Sequence, residues 1–314
     1  MRIFVAGATG ALGNRLVPML VSRGHEVVGT TRHATKADEV RALGAEPAVL
    51  DALDRDRVLT AVADAKPDVV VHELTALSGS PNYRKFDAYF ATTNRLRTEG
   101  LDNLLAAARS IGARRFVAQS FTGWPNERSG GPVKTEADPL DPDPTPATRE
   151  TLAAVRHVDS TMASARDIEG VSLRYGAFYG PGNALGKGGI VLEMIRKRQL
   201  PVVGGGTGVW SFVHIDDAAE ATVKAIEGAG TLGLYNIVDD EPAPVREWLP
   251  YLAQTIGAKP PLRLPAWVAR LMIGAAGVAA MTSVRGSSNA KARRELAWAP
   301  RYATWRDGFR TGLG

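Results

Sequence analysis

The 314-residue chain contains no cysteine, which excludes disulfide bonds, thiolate nucleophiles and zinc sites built on sulfur. Its five histidines, at positions 25, 33, 72, 157 and 214, do not show the spacing of metal ligands. We therefore expect no metal site and a chemistry that depends on oxygen groups or on an organic cofactor. The amino terminus lacks the apolar stretch of a signal peptide, which predicts a cytoplasmic location.

Long basic runs and long apolar runs are also missing. The net charge is +5, and the short basic clusters are interleaved with acids, as on solvated helix faces, so we expect no nucleic-acid partner. The most apolar segment, Ala266 to Met281, is interrupted by Arg270 and is too short to span a membrane. It fits a packed helix, with a helix lying on a membrane surface as the other interpretation, and we expect no membrane partner.

Segments rich in valine and isoleucine alternate with helical patterns along the first half of the chain. This alternation is typical of a parallel sheet covered on both faces. We predict an α/β fold in which residues 1–182 form a Rossmann-type, doubly wound parallel sheet, joined by later strands within 207–240, and residues 183–314 form a smaller C-terminal substrate-binding lobe. The predicted strands are Arg2–Ala6, Glu26–Thr30, Ala48–Leu50, Asp68–His72, Arg115–Ser120 and Val171–Tyr175.

Two segments between the strands have distinctive patterns. A single long helix is predicted from Phe86 to Ile111. Residues 124–148 contain six prolines and two adjacent glycines, so they are predicted to form a long loop rather than a helix or a central strand. A functional flap beside the site and a surface loop are both open interpretations of this segment.

The segment IFVAGATGALGNRL (3–16) places three glycines between a predicted strand and a predicted helix. Glycine at such positions lets the backbone approach a pyrophosphate, whose charge is stabilised by the helix N-terminus. The strand before and the helix after are the context that this motif requires. We predict a dinucleotide cofactor bound by the loop residues Gly7, Thr9, Gly10, Ala11, Leu12 and Gly13.

The end of the second strand distinguishes NAD from NADP, because an acid there would bind the ribose 2′-hydroxyl and repel a 2′-phosphate. The chain has Thr30, Thr31 and Arg32 at this point and no acid. Arg32, helped by the hydroxyl of Thr30 or Thr31, can bind the phosphate, which predicts NADP(H) over NAD(H). At the end of the third strand, Asp51, followed by Ala52, either accepts a hydrogen bond from the adenine amino group or caps the next helix.

Further segments complete a recognisable pattern. With these segments and the glycine loop, nearly the whole chain resembles an extended (atypical) short-chain dehydrogenase/reductase of the NAD-dependent epimerase/dehydratase family. The segments are VHELTA (71–76), Asn94, Ser120, RYGAFYGPG (174–182), WSFVHIDDAAEA (210–221), LYNIVDDEP (234–242) and RGSSNAKARRELAWAP (285–300).

The resemblance implies roles for several of these residues. Ser120 would hydrogen-bond the reacting oxygen, with a local bond to the backbone as the other interpretation, and Arg285 would face the substrate. Thr122 and Trp124, which lie just beyond Ser120, are predicted to contact the substrate. The remaining residues predicted to contact the cofactor are Leu74, Thr75, Ala76, Asn94 and Ser120.

One feature of the resembling family is missing, its acid–base pair Tyr-x-x-x-Lys. The chain has no tyrosine between Tyr89 and Tyr175, Lys134 is the lone lysine after the fifth strand in that interval, and Ala177 stands in place of the family's asparagine. The candidates for a substitute proton donor, chosen by location, are Tyr175, Tyr179 and His157, with Thr122 or Trp124 as further candidates. Asp217 and Glu220 are predicted to form a capping box that opens a helix, so neither Asp216 nor Asp217 is assigned to the site.

Three functions therefore stay open. The first is an NADP(H)-dependent oxidoreductase or epimerase-like enzyme that acts on a small carbonyl or alcohol. The second is a non-redox lyase, cyclase or hydrolase that keeps the cofactor as a scaffold, and the third is a sensor of NADP(H). The expected partner is a small-molecule substrate, and a homodimer is compatible with the sequence.

Overall fold

The computed structural model describes residues 1–77, 82–228 and 230–314. The helices are α1 (Gly13–Ser22), α2 (Ala37–Ala42), α3 (Arg55–Ala65), α4 (Phe86–Arg95), α5 (Leu101–Ser110), α6 (Arg149–Ser164), α7 (Ile190–Arg196), α8 (Ile215–Glu227), α9 (Val245–Thr255), α10 (Ala266–Thr282), α11 (Ala290–Glu295) and α12 (Trp305–Thr311). The strands are β1 (Arg2–Ala6), β2 (Glu26–Thr31), β3 (Glu46–Val49), β4 (Val69–His72), β5 (Arg115–Phe121), β6 (Val133–Lys134), β7 (Glu169–Tyr175), β8 (Ala177–Tyr179), β9 (Val202–Val203), β10 (Val209–Trp210), β11 (Phe212–His214), β12 (Gly233–Ile237), β13 (Ala243–Pro244), β14 (Arg263–Leu264) and β15 (Gly286–Ser287).

A seven-stranded parallel sheet forms the centre of the molecule, in the order β12-β7-β5-β4-β1-β2-β3. The chain moves outward from β1 through β2 to β3 and then returns to the other side of β1 with β4. A crevice opens outside the carboxyl ends of the strands where such a reversal occurs, and ligands of doubly wound folds bind there. The topology therefore places a ligand site at the ends of β1 and β4, as the predicted Rossmann-type fold requires.

Both faces of this sheet are covered. Side chains alternate along β1, so that Ile3 and Val5 join a core with α1 and α8, while Phe4 and Ala6 join a second core with α3, α5 and α6. Burial on both faces explains why the strands read as continuous apolar runs in the sequence. The predicted strand positions are confirmed to within two residues at each end for every strand of the first half.

The C-terminal part of the chain has a third core, in which aliphatic side chains surround several large aromatic ones. Trp248, Trp305, Phe212 and Phe309 are buried in it. Helix α10 packs on this core but breaks at Gly274, whose backbone is not helical. Among the described residues, no helix combines the length and the apolar character needed to cross a membrane.

Two predicted local structures differ from the observed ones. The long helix from Phe86 to Ile111 is interrupted by a π-helical turn over Leu96–Gly100, which separates α4 from α5. The predicted capping box at Asp217 is wrong, because α8 begins at Ile215 and its N-cap is His214, whose ring accepts the hydrogen bond of the Asp216 backbone N–H at 3.1 Å. Asp217 lies inside α8 and accepts instead from the backbone N–H groups of Arg301 and Tyr302.

The loop predicted over residues 124–148 is attached to the C-terminal part of the chain. Its short strand β6 pairs with β15, and the Asn126 amide donates to the Ser287 hydroxyl at 2.9 Å. The buried Thr122 hydroxyl lies 2.6 Å from the same Ser287 hydroxyl. The loop therefore joins the end of β5 to the segment that carries Arg285.

Candidate functional site

The glycine loop connects β1 to α1 at the crevice of the sheet. Gly7 has a φ of 104°, and a Cβ there would lie 2.9 Å from the Glu73 carbonyl oxygen. At Gly13 a Cβ would lie 2.2 Å from the Gly7 carbonyl oxygen, so the helix start rests directly on the loop backbone. No side-chain hydrogen bond caps the start of α1 among the described residues. This tight approach of bare backbone to an uncapped helix N-terminus fits a dinucleotide pyrophosphate.

The other predicted loop residues differ in burial. Gly10 and Ala11 are exposed, and Thr9 is half-buried, with its carbonyl accepting from the Asn14 amide at 3.3 Å. Leu12 is buried in the core beside α1. Gly10 and Ala11 are thus accessible to a ligand, whereas Leu12 positions the loop by packing.

The end of β2 presents one exposed cation beside the glycine loop. Arg32 follows β2 directly, is exposed, and forms no ion pair within residues 1–77, 82–228 and 230–314. The Thr30 hydroxyl accepts a hydrogen bond from the Gly7 backbone N–H at 3.1 Å. The Thr31 hydroxyl lies 3.4 Å from both backbone polar groups of His33. Thr30 thus ties the strand to the loop, and Arg32 stays available to an anion.

The segment after β3 shows whether Asp51 caps the next helix or is left available to the adenine amino group. Asp54 caps α3 and accepts from the Arg57 N–H at 3.2 Å, so a capping role for Asp51 is wrong. Asp51 is exposed and accepts from the Leu53 N–H at 3.0 Å. The carbonyl of the buried Ala52 accepts from the Asn103 amide, which holds this turn against α5.

Beyond β4 the chain passes directly under the glycine loop. Burial lowers the pKa of His72 to about 4, so its ring is neutral at pH 7. The His72 Nε2 lies 2.8 Å from the Leu96 carbonyl oxygen and donates a hydrogen bond to it. Leu74 and Ala76 are half-buried and Thr75 is exposed. The Leu74 carbonyl accepts from the Gln119 amide, and the Ala76 N–H donates to the Thr93 hydroxyl.

Glu73 is a buried carboxyl group in this segment. The Tyr175 hydroxyl donates to its Oε1 at 3.0 Å, and its Oε2 has no hydrogen-bond partner among the residues that the structure describes. Burial raises the pKa of Glu73 to about 8, and the hydrogen bond from Tyr175 opposes this shift only in part. Glu73 is therefore protonated at neutral pH.

This protonation predicts a pH-dependent stability. The pKa of Glu73 is about 8 in the folded chain and 4.5 as a free side chain. The folded state holds the Glu73 proton more tightly than the unfolded state. Protonated Glu73 therefore adds its full stabilisation below pH 4.5, and this stabilisation is lost as the pH rises to about 8. We expect the free energy of unfolding to fall by about 2 kcal/mol or more over this window.

Chemical denaturation at a series of pH values checks this expectation, with Glu73→Gln as the matched control. The glutamine keeps the shape and the Tyr175 contact but cannot titrate, so its stability profile should be flatter than that of the wild type. Parallel profiles for the two proteins would contradict the assignment of a protonated Glu73.

A buried polar group joins α4 to the start of α6. The Asn94 amide donates to the Thr151 hydroxyl at 3.0 Å, and that hydroxyl donates to the Asp87 carboxylate at 2.6 Å. The Asn94 Oδ1 and the Ser120 Oγ are both buried without a hydrogen-bond partner among residues 1–77, 82–228 and 230–314. At this helix start the buried residues are Thr148, Thr151 and Leu152, which include no tyrosine and no lysine.

The structure does not bring the predicted proton donors together with Ser120. Ser120 is the register partner of Arg174 on β7, so the next residue, Tyr175, points to the opposite face of the sheet, where its hydroxyl contacts Glu73 and Thr222. Tyr179 is buried in the C-terminal core, and its hydroxyl has no hydrogen-bond partner in the described part of the chain. His157 lies on the outer side of α6, 2.8 Å from the Asp102 carboxylate.

Aromatic side chains surround the residues that follow Ser120. The Trp124 ring lies 5.1 Å from Phe86 and 6.3 Å from Phe121, measured between ring centroids. We call Phe86, Phe121 and Trp124 the aromatic wall. Sequence reasoning identified Trp124 but missed Phe86, although the spacing of Tyr83, Phe86 and Phe90 at a helix start was a usable signal.

Arg285 approaches the same region from the C-terminal part of the chain. Its Nε donates to the Arg128 carbonyl at 2.9 Å, and its own carbonyl lies near Gly123. Thr122, by contrast, is buried, and its hydroxyl is hydrogen-bonded to the Ser287 hydroxyl. It therefore positions the loop rather than facing a ligand. Ser120, Trp124 and Arg285 thus belong to segments that contact one another.

Comparison with known proteins places this site in context. The family model described as "NAD dependent epimerase/dehydratase family" matches residues 3–237. A 3-diazoavenalumate denitrifying reductase from a Streptomyces species is 44% identical over 98% of this chain and 99% of its own length. A 2-alkyl-3-oxoalkanoate reductase from Stenotrophomonas maltophilia is 32% identical over 82% of this chain and 76% of its own.

Solved structures agree with the architecture. The UDP-glucose 4-epimerase of Thermotoga maritima, determined with UDP-glucose, superposes with a TM-score of 0.77 at 20% identity, covering 100% of this chain and 97% of its own. The Thermus thermophilus UDP-glucose 4-epimerase, in complex with NAD, gives a TM-score of 0.72 at 25% identity, covering 100% and 98%. The fold of the chain is therefore that of the Rossmann-type epimerases.

Proposed function

The chain belongs to the NAD-dependent epimerase/dehydratase family, and from this premise we propose that it is an NADPH-dependent reductase of aromatic diazonium acids. It is a reductase- or epimerase-like enzyme of the NAD(P)-dependent oxidoreductase type. The observation that carries the narrower proposal is the buried start of α6, which presents Thr148, Thr151 and Leu152 and neither a tyrosine nor a lysine.

The chemistry of the substrate decides whether a proton donor is needed. When bound, the reduced nicotinamide supplies a hydride, and a hydride that replaces the dinitrogen of a diazonium carbon neutralises a cation and consumes no proton. Reduction of a ketone instead creates an oxyanion that needs a general acid. Tyr83 and Tyr89 lie on the α4 side of the site, and burial raises the pKa of both, to about 12 for Tyr83, so each is a poor acid near neutrality.

The residues beyond Ser120 suit a planar substrate with a carboxylate. Phe121 and Trp124 of the aromatic wall are only half-buried and can offer ring surface to an arene, and a diazonium cation gains further from these rings through its charge. Arg285, whose Nε is held by the Arg128 carbonyl, is assigned to the carboxylate. The name of the 44% identical relative contains both a diazo group and a carboxylate.

The cofactor-binding residues are assigned from their positions around the crevice. The glycine loop is proposed to hold the pyrophosphate, and Arg32 the 2′-phosphate that distinguishes NADPH from NADH. The Ser120 hydroxyl, buried and unpartnered, is proposed to orient the substrate or the nicotinamide ring. The boundary between a cofactor domain and a substrate lobe near residue 182 remains part of this proposal.

A carboxylated benzenediazonium salt tests the function. We expect one reduced cofactor to be consumed for each dinitrogen released, measured by absorbance and by gas mass spectrometry against an enzyme-free control. With cofactor deuterated at the transferable position, the product arene should carry deuterium at the carbon that lost nitrogen. Nitrogen release that continues with a cofactor unable to transfer hydride would overturn the redox assignment.

A ketone reductase is the second candidate. The unpartnered Ser120 hydroxyl favours it, because this group can donate to a carbonyl oxygen, and one relative is named for such a substrate. This function requires a general acid, whose removal typically costs 10²–10⁴-fold in turnover.

Conservative variants of the acid candidates separate the two functions. We expect His157→Gln, Tyr83→Phe, Tyr175→Phe and Tyr179→Phe to change the turnover of folded protein by less than about tenfold, because the diazonium reaction needs no acid. Steady-state kinetics on both substrate classes checks this. A loss of 10²-fold or more in one variant would identify a general acid and favour the ketone reductase.

A further inference from the structure

Arg97 is a buried cation for which the described residues provide no direct counter-charge. Its side chain lies in the π-helical turn between α4 and α5, and the residue is only 4% exposed. Within the described part of the chain, its Nε has no hydrogen-bond acceptor and no carboxylate lies within ion-pair distance. Buried charges in proteins are normally paired, because an isolated one is costly to desolvate.

Asp159, the carboxylate whose charge acts on Arg97, is already hydrogen-bonded to other groups. It accepts from Arg174 at 2.7 Å and from the Ser172 hydroxyl at 2.8 Å. Burial lowers the pKa of Arg97 to about 10, and Asp159 opposes this only from a distance. An arginine stays protonated under these conditions, so the two guanidinium groups share one carboxylate and leave an uncompensated positive charge.

The surroundings of Arg97 place it at the crevice of the sheet. The carbonyl of the preceding residue, Leu96, binds His72, which ends β4. His72 is the register partner of Ala6, the last residue of β1. The glycine loop begins at Gly7, directly after Ala6. Arg97 therefore lies at the level where β1 and β4 end, near the start of the glycine loop.

We propose that Arg97 binds the diphosphate of the nicotinamide cofactor, which supplies the missing counter-charge. The glycine loop and the N-terminus of α1 offer backbone N–H groups, and Arg97 adds a full charge from the neighbouring helix. A π-helical turn contains an extra residue, and such turns are frequent at functional sites, so the break in the predicted helix gives Arg97 its inward direction. The proposal depends on nicotinamide binding but not on the identity of the reduced substrate.

If Arg97 binds the cofactor diphosphate, removing its charge should not destabilise the cofactor-free protein but should weaken cofactor binding. In Arg97→Met the uncompensated charge is gone, so the thermal midpoint of the protein without cofactor should stay unchanged or rise. The affinities for ADP, NADH and NADPH should all fall by about ten- to a hundredfold, because the three share the diphosphate. Arg97→Lys keeps the charge and should recover part of this affinity.

Differential scanning fluorimetry and titration calorimetry measure both quantities, with Arg174→Met as the control for a purely structural arginine. This control breaks the buried pair with Asp159 and should lower the midpoint of the cofactor-free protein. If Arg97→Met instead lowers the midpoint and binds ADP as tightly as the wild type, Arg97 is a structural partner of Asp159 and the role is overturned. A wild-type protein that binds neither ADP nor NADPH would overturn the cofactor assignment as well, which distinguishes the two failures.

Discussion

Replacing Gly13 by valine should abolish cofactor binding, with a loss of affinity for NADPH of about a thousandfold or more. A Cβ at Gly13 would lie 2.2 Å from the Gly7 carbonyl oxygen and 2.6 Å from that of Ala8. Neither oxygen belongs to a flexible side chain, so the loop and α1 must move apart. Separation of the helix N-terminus from the loop removes the arrangement that stabilises a pyrophosphate.

A matched pair of variants separates loss of binding from loss of folding. Gly10 is exposed, and a Cβ there meets only the Gly7 carbonyl oxygen, at 3.2 Å, so Gly10→Val should fold while its side chain enters the space of the ligand. Gly131, which has nothing within 4 Å of its Cβ, provides the control, and Gly131→Val should bind normally. Calorimetry and circular dichroism check these outcomes. A folded Gly10→Val variant with wild-type affinity would show that the loop is only a turn.

The sheet was predictable because each of its strands leaves a recognisable pattern in a short stretch of sequence. Each central strand is buried on both faces and therefore appears in the sequence as an apolar run, as in Val69–Val71, which are fully buried. The glycine loop was predictable for the same reason, since strand, glycines and helix follow one another within the first segment of the chain. Both features are set by neighbours in sequence.

The parts that sequence reasoning missed depend on distant partners. Asp217 looks like a helix cap, but the N–H groups that it satisfies belong to Arg301 and Tyr302, far along the chain. The π-helical turn that directs Arg97 inward has no sequence signal of its own. Tyr175 directly follows the register partner of Ser120, yet the alternation of side chains in β7 sends its hydroxyl to the other face.

Arg32→Ala should weaken NADPH binding by about ten- to a hundredfold and leave NADH binding nearly unchanged. Arg32 is exposed directly after β2 and forms no ion pair in the described part of the chain, so its guanidinium is available to a 2′-phosphate. A charged hydrogen bond of this kind contributes about 1.5–3 kcal/mol, which corresponds to the stated change in affinity. No acid stands at the strand end to bind the 2′-hydroxyl of NAD.

The selectivity of this effect is what identifies the role of Arg32. Loss of a surface charge that acts on any anion would lower the affinities for NADPH and NADH alike. Loss of the diphosphate contact proposed for Arg97 would do the same. Arg41→Ala is the matched control, since Arg41 is an exposed arginine on the nearby α2 that is already paired with Asp38. Titration of the wild type and both variants with NADPH and NADH gives the comparison. Equal affinities of the wild type for the two cofactors would remove the basis for NADPH preference, because an arginine that binds the 2′-phosphate must discriminate between them.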